Sequence, residues 1–344
     1  MIYNESLNAN NNYITSLIDI VNNPPKMKRF PNGIEWTKSN ITSGGFESVY
    51  NANGIWVAAS HGGLYYSTDG KTWTQSNITS GYFHSVYNAN GIWVAGSGIG
   101  LYYSTDGKTW TKSNITSGSF ESVYNANDIW VAGDSNSSHG GLYYSTDGKT
   151  WTQSNITSRS FQCVYNANGI WVAGGDDYGK NGLYYSTDGK IWTQSNITSG
   201  DFCSFYNANG IWVASGWLNN GLYYSTDGIT WTQSNITSGY FHSVYNANGI
   251  WVAAGNGFYY STDGKIWTQS NITSGYFQCV YNANGIWVAA GSNSSNSGLY
   301  YSTDGKTWVK SNIVAGSFHS IYNANGIWVA AGDGFYYSIT WEET

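Results

Sequence analysis

Phe83-His84-Ser85-Val86-Tyr87-Asn88-Ala89-Asn90-Gly91-Ile92-Trp93-Val94-Ala95, followed by Leu101-Tyr102-Tyr103-Ser104-Thr105-Asp106-Gly107-Lys108-Thr109-Trp110, recurs in eight near-copies between Gly33 and Ser338. Each copy holds four short runs of β-branched and aromatic residues, none long enough for a helix, separated by turn residues. In the first copy Phe46 to Tyr50 is the first strand. Asn51-Ala52-Asn53-Gly54 tolerates left-handed backbone and reverses the chain into Ile55-Trp56-Val57-Ala58-Ala59. Leu64-Tyr65-Tyr66-Ser67 is the third strand, an Asp69-Gly70 turn leads into the fourth, Thr72-Trp73-Thr74-Gln75, and Ser76 to Gly81 crosses to the next copy.

Ile55, Trp56 and Val57 are consecutive, as are Leu64, Tyr65 and Tyr66, so the middle strands are apolar on both faces. Such a sheet must stack on another on each side, and radial stacking does this while leaving only short outer edges. The expected fold is all-β: an eight-bladed β-propeller of four-stranded antiparallel blades. The fourth-strand tryptophans run Trp36, Trp73, Trp110, Trp151, Trp192, Trp231, Trp267 and Trp308, whereas the other three strands first appear at Phe46. The last copy ends Tyr336-Tyr337-Ser338-Ile339-Thr340-Trp341 without an Asp-Gly turn. Its fourth strand is therefore expected from the amino-terminal segment Ile34 to Lys38, which closes the ring; the alternatives are an open arc or closure by Trp341. The domain division is an extension over 1–32 and the propeller over 33–344. Within the extension Ile14, Leu17, Ile18 and Val21 recur at helical spacing before Pro24-Pro25, which predicts a short amphipathic helix.

Charge is sparse, with 14 basic and 20 acidic residues and a net of −6. Arg29 and Arg159 are the only arginines, so there is no basic stripe to neutralise phosphates, and nucleic acid is not an expected partner. No segment has the apolar length of a membrane span, so membrane insertion is not expected. Met1-Ile2-Tyr3-Asn4-Glu5 lacks the character of a signal peptide. The expected location is extracellular or virion-associated by another route, with the cytoplasm as the other option. Cys163, Cys203 and Cys279 are odd in number and occupy the same strand of different copies, so buried free thiols are expected; Cys163 and Cys203 are the pair that adjacent blades would bring together. Seven Asn-Ile-Thr triplets, beginning at Asn40 and Asn77, match the glycosylation sequon and are read instead as crossover chemistry between blades.

Ser67-Thr68-Asp69-Gly70-Lys71-Thr72-Trp73 and its copies, such as Ser145 to Trp151 and Ser302 to Trp308, resemble the Asp-box, or BNR repeat, of sialidase-like propellers. The family pattern, Ser-x-Asp-x-Gly-x-Thr-Trp, is one residue longer between Asp and Gly. The Gly-Ile-Trp-Val-Ala and Tyr-Tyr-Ser-Thr-Asp-Gly runs are also similar to tandem repeats of bacteriophage and prophage tail or virion proteins. Physically, the aspartate accepts backbone N–H bonds across its own turn, glycine takes positive φ, and tryptophan wedges between blades. One carboxylate per turn is too few for calcium. The resemblance would imply sialidase activity, but two arginines, one outside the repeats, cannot build the arginine cluster such an enzyme uses for its substrate carboxylate. Glu47 and Glu121 share a repeat position in nonadjacent blades, which does not favour a glycosidase acid pair, and no Ser or Cys sits in a nucleophile elbow. No catalytic residue, metal ligand or cofactor is assigned.

The copies differ in two places. One is the start of the first strand, with Tyr82-Phe83-His84, Ser119-Phe120-Glu121, Ser160-Phe161-Gln162, Asp201-Phe202-Cys203, Tyr240-Phe241-His242, Tyr276-Phe277-Gln278 and Ser317-Phe318-His319. The other is the loop between the second and third strands, from short Gly255-Asn256-Gly257 to longer Asp134 to Gly140, and including Trp217. A meander puts both at one end of the blade and the constant turns at the other, so one face of the ring is diversified. Tyr82, His84, Glu121, Gln162, Asp201, Trp217, Tyr240, His242, Tyr276, Gln278 and His319 are the candidate ligand-binding residues, mixing aromatic platforms with hydrogen-bonding groups. His84, His242 and His319 lie in nonadjacent blades and are read as isolated polar contacts rather than a zinc site. The expected function is a noncatalytic multivalent module for glycans or another cell-surface ligand, of a phage-type receptor-binding or virion kind, with other virion or surface-assembly proteins as further partners. A glycoside hydrolase and a protein-interaction scaffold are the alternatives.

Overall fold

The first hairpin of each blade turns on two residues with positive φ, Asn53 (52°) and Gly54 (77°) in blade 1, the geometry that matches the twist of paired strands. Blade 3 alone replaces the glycine, and Asp128 there takes φ 61° while accepting a hydrogen bond from Asn90 Nδ2 of blade 2 at 2.9 Å. In the computed structural model the described residues are 33–136, 140–175, 181–217, 219–292 and 297–339, with the backbone of two further strands, Lys28–Arg29 and Trp341–Glu342. The helix expected over 14–21 lies outside them.

Eight four-stranded antiparallel sheets follow one another, each ordered first to fourth strand. Blade 1 is typical: Phe46–Ala52, Ile55–Ser60, Gly63–Ser67 and Thr74–Gln75. First strands of neighbouring blades touch each other around the axis, from blade 8 back to blade 1. The eight apolar clusters lie between blades rather than within them. Val57, Ala59 and Leu64 of blade 1, all fully buried, pack on Phe83, Trp93 and Trp110 of blade 2. This is why the second strand reads as apolar on both faces.

Ring closure follows the expected route. Thr37–Lys38 pairs antiparallel with Phe335–Ile339, in the register Thr37↔Tyr337 and Lys38↔Tyr336. The split blade rebuilds the turn of an unbroken one. In blade 1 the N–H of Gly70 donates to Ser67 Oγ at 2.9 Å, and across the chain ends the N–H of Gly33 donates to Ser338 Oγ at 2.9 Å. Gly33 has the same positive φ class as Gly70. Outside the ring, Lys28–Arg29 pairs with Trp341–Glu342.

The Asn-Ile-Thr triplets explain themselves here. Asn40 Oδ1 accepts the N–H of Trp73 at 2.8 Å and its Nδ2 donates to the Trp73 carbonyl at 2.9 Å, clamping one crossover to the next fourth strand. The same two-bond clamp joins Asn77, Asn114, Asn155, Asn196, Asn235 and Asn271 to the following tryptophan. An eighth clamp, from Asn312 to Trp36, closes the circle. Each aspartate serves its own turn: Asp69 Oδ1 accepts Lys71 N–H, Thr72 N–H (both 2.8 Å) and Ser67 Oγ–H (2.9 Å). Partial burial pushes its pKa up, but these hydrogen bonds outweigh that and hold it below the usual aspartate value. All three cysteines are free. Cys163 Sγ donates to the Phe202 carbonyl and Cys203 Sγ to the Phe241 carbonyl, each reaching the next blade.

Candidate functional site

The two diversified places are tied together by backbone hydrogen bonds. His61 N–H donates to the Gly45 carbonyl, Gly98 N–H to Tyr82, Ser135 N–H to Ser119 and Ser292 N–H to Tyr276, at 2.7–2.9 Å. Both therefore lie at the end of the blade opposite the Asn-Gly and Asp-Gly turns.

The register locates the variable side chain. In blades 1, 2, 3, 5, 6, 7 and 8 the pairing of first and second strands skips one residue between the phenylalanine and the residue two places on. The skipped residues are Glu47, His84, Glu121, Cys203, His242, Gln278 and His319. A bulged residue leaves the ladder and re-aims its side chain, so this position is freed from the packing that fixes its neighbours. All of these residues, with Gln162 of blade 4, are half-buried.

The ring brings some of them together. His319 Nδ1 of blade 8 lies 3.6 Å from Glu47 Oε2 of blade 1, whose Oε1 lies 3.0 Å from His61 Nε2. His61 also faces Tyr82 (centroids 5.1 Å) and His84 (6.4 Å), and His84 Nδ1 lies 3.4 Å from Glu121 Oε2 of blade 3. Glu121 Oε1 further accepts the hydroxyls of Ser119 and Ser135, both at 3.1 Å. An arc of three imidazoles and two carboxylates thus runs over blades 8, 1, 2 and 3. His84 and His319 stay in nonadjacent blades as expected, and each makes its polar contact with a glutamate of the next blade around the ring. His61, in a loop, was missed for lack of an equivalent in the other copies.

Beside this arc Tyr82 is 63 % exposed and Ile99, one residue beyond Gly98, is 51 % exposed. Farther out, Ser117, Gly118, Asp134, Asn136 and Tyr143 line a cleft of about 300 Å³. Asp134 is buried there and accepts Ser119 and Asn136 N–H bonds at 2.9 and 3.0 Å. Burial raises its pKa more than those bonds lower it, and Glu121 adds to the rise.

Blades 5 to 7 differ. Trp217, at the end of the second strand of blade 5, faces His242 of blade 6 (centroids 6.0 Å), and His242 meets Tyr276 of blade 7 edge-on at 4.5 Å. Trp217 Nε1 is buried and has no hydrogen-bond partner among the described residues, and the Tyr276 hydroxyl lies near the Gln278 amide. Burial lowers the pKa of His242 to about 4, so the imidazole is neutral at physiological pH. Its Nε2 is buried and has no hydrogen-bond partner among the described residues. Tyr240 is half-buried, its carbonyl accepting Asn256 N–H at 2.9 Å. Asp201, in contrast, is only 1 % exposed, so it belongs to the interior and not to the rim.

Below the rim the constant residues form a second feature. Tyr50, Tyr87, Tyr124, Tyr165, Tyr206, Tyr245, Tyr281 and Tyr322 form a closed girdle around the axis, with successive centroids 4.5–6.0 Å apart. The phenols of Tyr50, Tyr87 and Tyr124, and likewise of Tyr206, Tyr245 and Tyr281, lie close enough to perturb one another. Burial, reinforced by the neighbouring phenols, raises the pKa of Tyr87 and Tyr245, so they stay protonated. In the sequence these tyrosines are identical in every copy and carry no sign that they meet.

No family model matches the chain, and no curated protein matches it. Solved structures do. The computationally designed protein Ika8 superposes with a TM-score of 0.71 at 8% identity, over 89% of this chain and 100% of its own. Sqt1 of Saccharomyces cerevisiae gives 0.65 at 10% identity, over 90% and 98%. YCF48 bound to D1 peptide gives 0.55 at 16% identity, over 92% and 98%. These are propellers, and at such identities the likeness extends to the fold alone.

Proposed function

We propose that this chain is a noncatalytic, multivalent binding module whose diversified face recognises a glycan or another cell-surface ligand, in the manner of a phage-type receptor-binding or virion protein. The observation that carries this reading is the bulge: seven blades free one side chain each, at the one first-strand position where the copies disagree most, and aim it at the same rim. Asp-box-like turns at the other end act as scaffold, since their carboxylates are taken up by their own backbone. A noncatalytic role is supported by Glu47 and Glu121, the two acids of the variable position, being engaged by imidazoles. Repeated weak contacts around a rim gain avidity.

A protein-interaction scaffold is the second reading. It is favoured by the exposed neighbours Tyr82 and Ile99, an aromatic and an aliphatic tip of the kind that anchors protein interfaces, and by the peptide bound to the similarly folded YCF48. A glycan array probed with the wild type and with a Tyr82→Ala/Tyr240→Ala/Trp217→Ala variant tests the first. Capture of defined glycans that the triple variant loses is the expected result; capture that survives the triple change defeats the role given to this face.

A further inference from the structure

The two halves of the diversified rim spend their hydrogen-bonding capacity differently. Over blades 8 to 3 the polar groups face one another, Glu47 lying beside His319 and His61, and Glu121 lying beside His84 and accepting the hydroxyls of Ser119 and Ser135. Over blades 5 to 7 His242 Nε2 is buried without a partner, beside two partly exposed aromatic rings and the amide of Gln278. A buried polar atom left unpaired is costly, so it is a place where a ligand group gains more than an ordinary surface contact. Trp217, Cys203, His242, Tyr276 and Gln278 carry no formal charge at neutral pH.

We infer that Trp217, His242, Tyr276 and Gln278 form a subsite for an uncharged saccharide ring, an apolar sugar face lying on Trp217 and a sugar hydroxyl pairing with His242 Nε2. This rests on the binding-face reading above and narrows it to one sector and one chemical class. Aromatic faces stack on the C–H face of a pyranose, and a neutral imidazole both accepts and donates to hydroxyls. Because Nε2 is buried while Trp217 and Tyr276 are partly exposed, binding includes rotation of one of these rings to uncover it. A carboxylated sugar finds no cation among these residues, so the subsite discriminates against acidic saccharides.

The test is saturation-transfer NMR and titration calorimetry with methyl glycosides of neutral hexoses and N-acetylhexosamines, and with methyl sialoside as the acidic control. Wild-type protein is expected to saturate the neutral glycosides and not the sialoside. Trp217→Ala is expected to weaken binding about tenfold or more, and His242→Gln by a similar factor, whereas Lys108→Ala, on the constant face, leaves it unchanged. Gln278→Ala, at a half-buried surface position, is a second reporter if either core-side variant misfolds. No transfer to any neutral glycoside at about 10 mM, or binding retained in Trp217→Ala and lost in Lys108→Ala, overturns the subsite. If the neutral glycosides fail but the array still shows capture that the triple variant loses, the binding face stands and only this assignment falls.

Discussion

Replacing Trp36 by alanine should open the ring as well as weaken it. Trp36 is 4 % exposed, meets Trp328 edge-on with centroids 6.5 Å apart, and fills the cluster made by Val288, Ala290, Leu299, Phe318, Ile321 and Ala330 of blades 7 and 8. A buried tryptophan removes about 200 Å² from water, roughly 5 kcal/mol as an upper bound, and large-to-alanine changes in cores cost about 3–5 kcal/mol. The backbone bonds to Asn312 survive the change, so the loss comes from packing. Trp73→Ala is the matched control: it is 2 % exposed and stacks on Phe335 at 4.0 Å, but its strand is covalently continuous with its blade. Urea unfolding should place both variants about 3–5 kcal/mol below wild type. Limited proteolysis should separate them, with early cleavage between 33 and 45 only in Trp36→Ala, because that strand alone is held by noncovalent contacts to the far end of the chain. A Trp36→Ala protein destabilised by less than about 1 kcal/mol, or one no more cleavable there than Trp73→Ala, refutes closure by this segment.

Other outcomes follow from the same geometry. His242 has a folded pKa of about 4 against about 6.5 unfolded, so it costs nothing above pH 6.5, and stability falls as pH drops from there to 4 while only the unfolded chain takes up the proton. The loss approaches about 3 kcal/mol, and His242→Gln should flatten urea midpoints across that window; an unchanged slope would count against the burial of this imidazole. The turn aspartates, with Asp147 and Asp304 lowered like Asp69, add stability that is present above their ordinary pKa and lost as pH falls below it, so a second decline should begin near the bottom of the His242 window. Asp147→Ala removes an acceptor shared by Lys149 N–H, Thr150 N–H and the Ser145 hydroxyl, and should cost about 1–2 kcal/mol in thermal unfolding, a loss that vanishes if the turn is dispensable. Burial pushes the Cys279 thiol to about 12 and Cys163 well above its ordinary value, so both should resist a disulfide reagent at pH 8 until urea is added; prompt labelling of either in native protein would contradict their burial.

The architecture was legible because each copy prints its own punctuation. Asn53-Gly54 and Asp69-Gly70 mark turns, and the consecutive Ile55-Trp56-Val57 marks a strand buried on both faces. Closure was legible because one fourth-strand tryptophan, Trp36, precedes the first complete copy. The clamp between Asn312 and Trp36 and the turn rebuilt by Gly33 and Ser338 show how little the chain break disturbs the repeat.

The rim was legible only as a set of variable positions. His319 and Glu47 meet only across the closed ring, a pairing that the order of the copies does not display. The variable first-strand position sits on a bulge, which the sequence does not display, and the bulge is what frees that side chain from the packing of its neighbours. Asp201 looked like a rim residue from its neighbours in the repeat, but it lies in the interior at 1 % exposure, as does the equivalent Ser160 of blade 4. The tyrosine girdle was hidden for the opposite reason. A residue identical in all copies reads as core, and only the radial arrangement turns eight such residues into one feature.

The most direct measurement compares two variants on the same glycan array, one altered on the diversified rim at Tyr82, Tyr240 and Trp217, the other on the constant face by Lys108→Ala and Lys306→Ala. Loss of capture by the first with retention by the second is predicted. Capture lost through the constant face and kept by the rim variant would contradict the account.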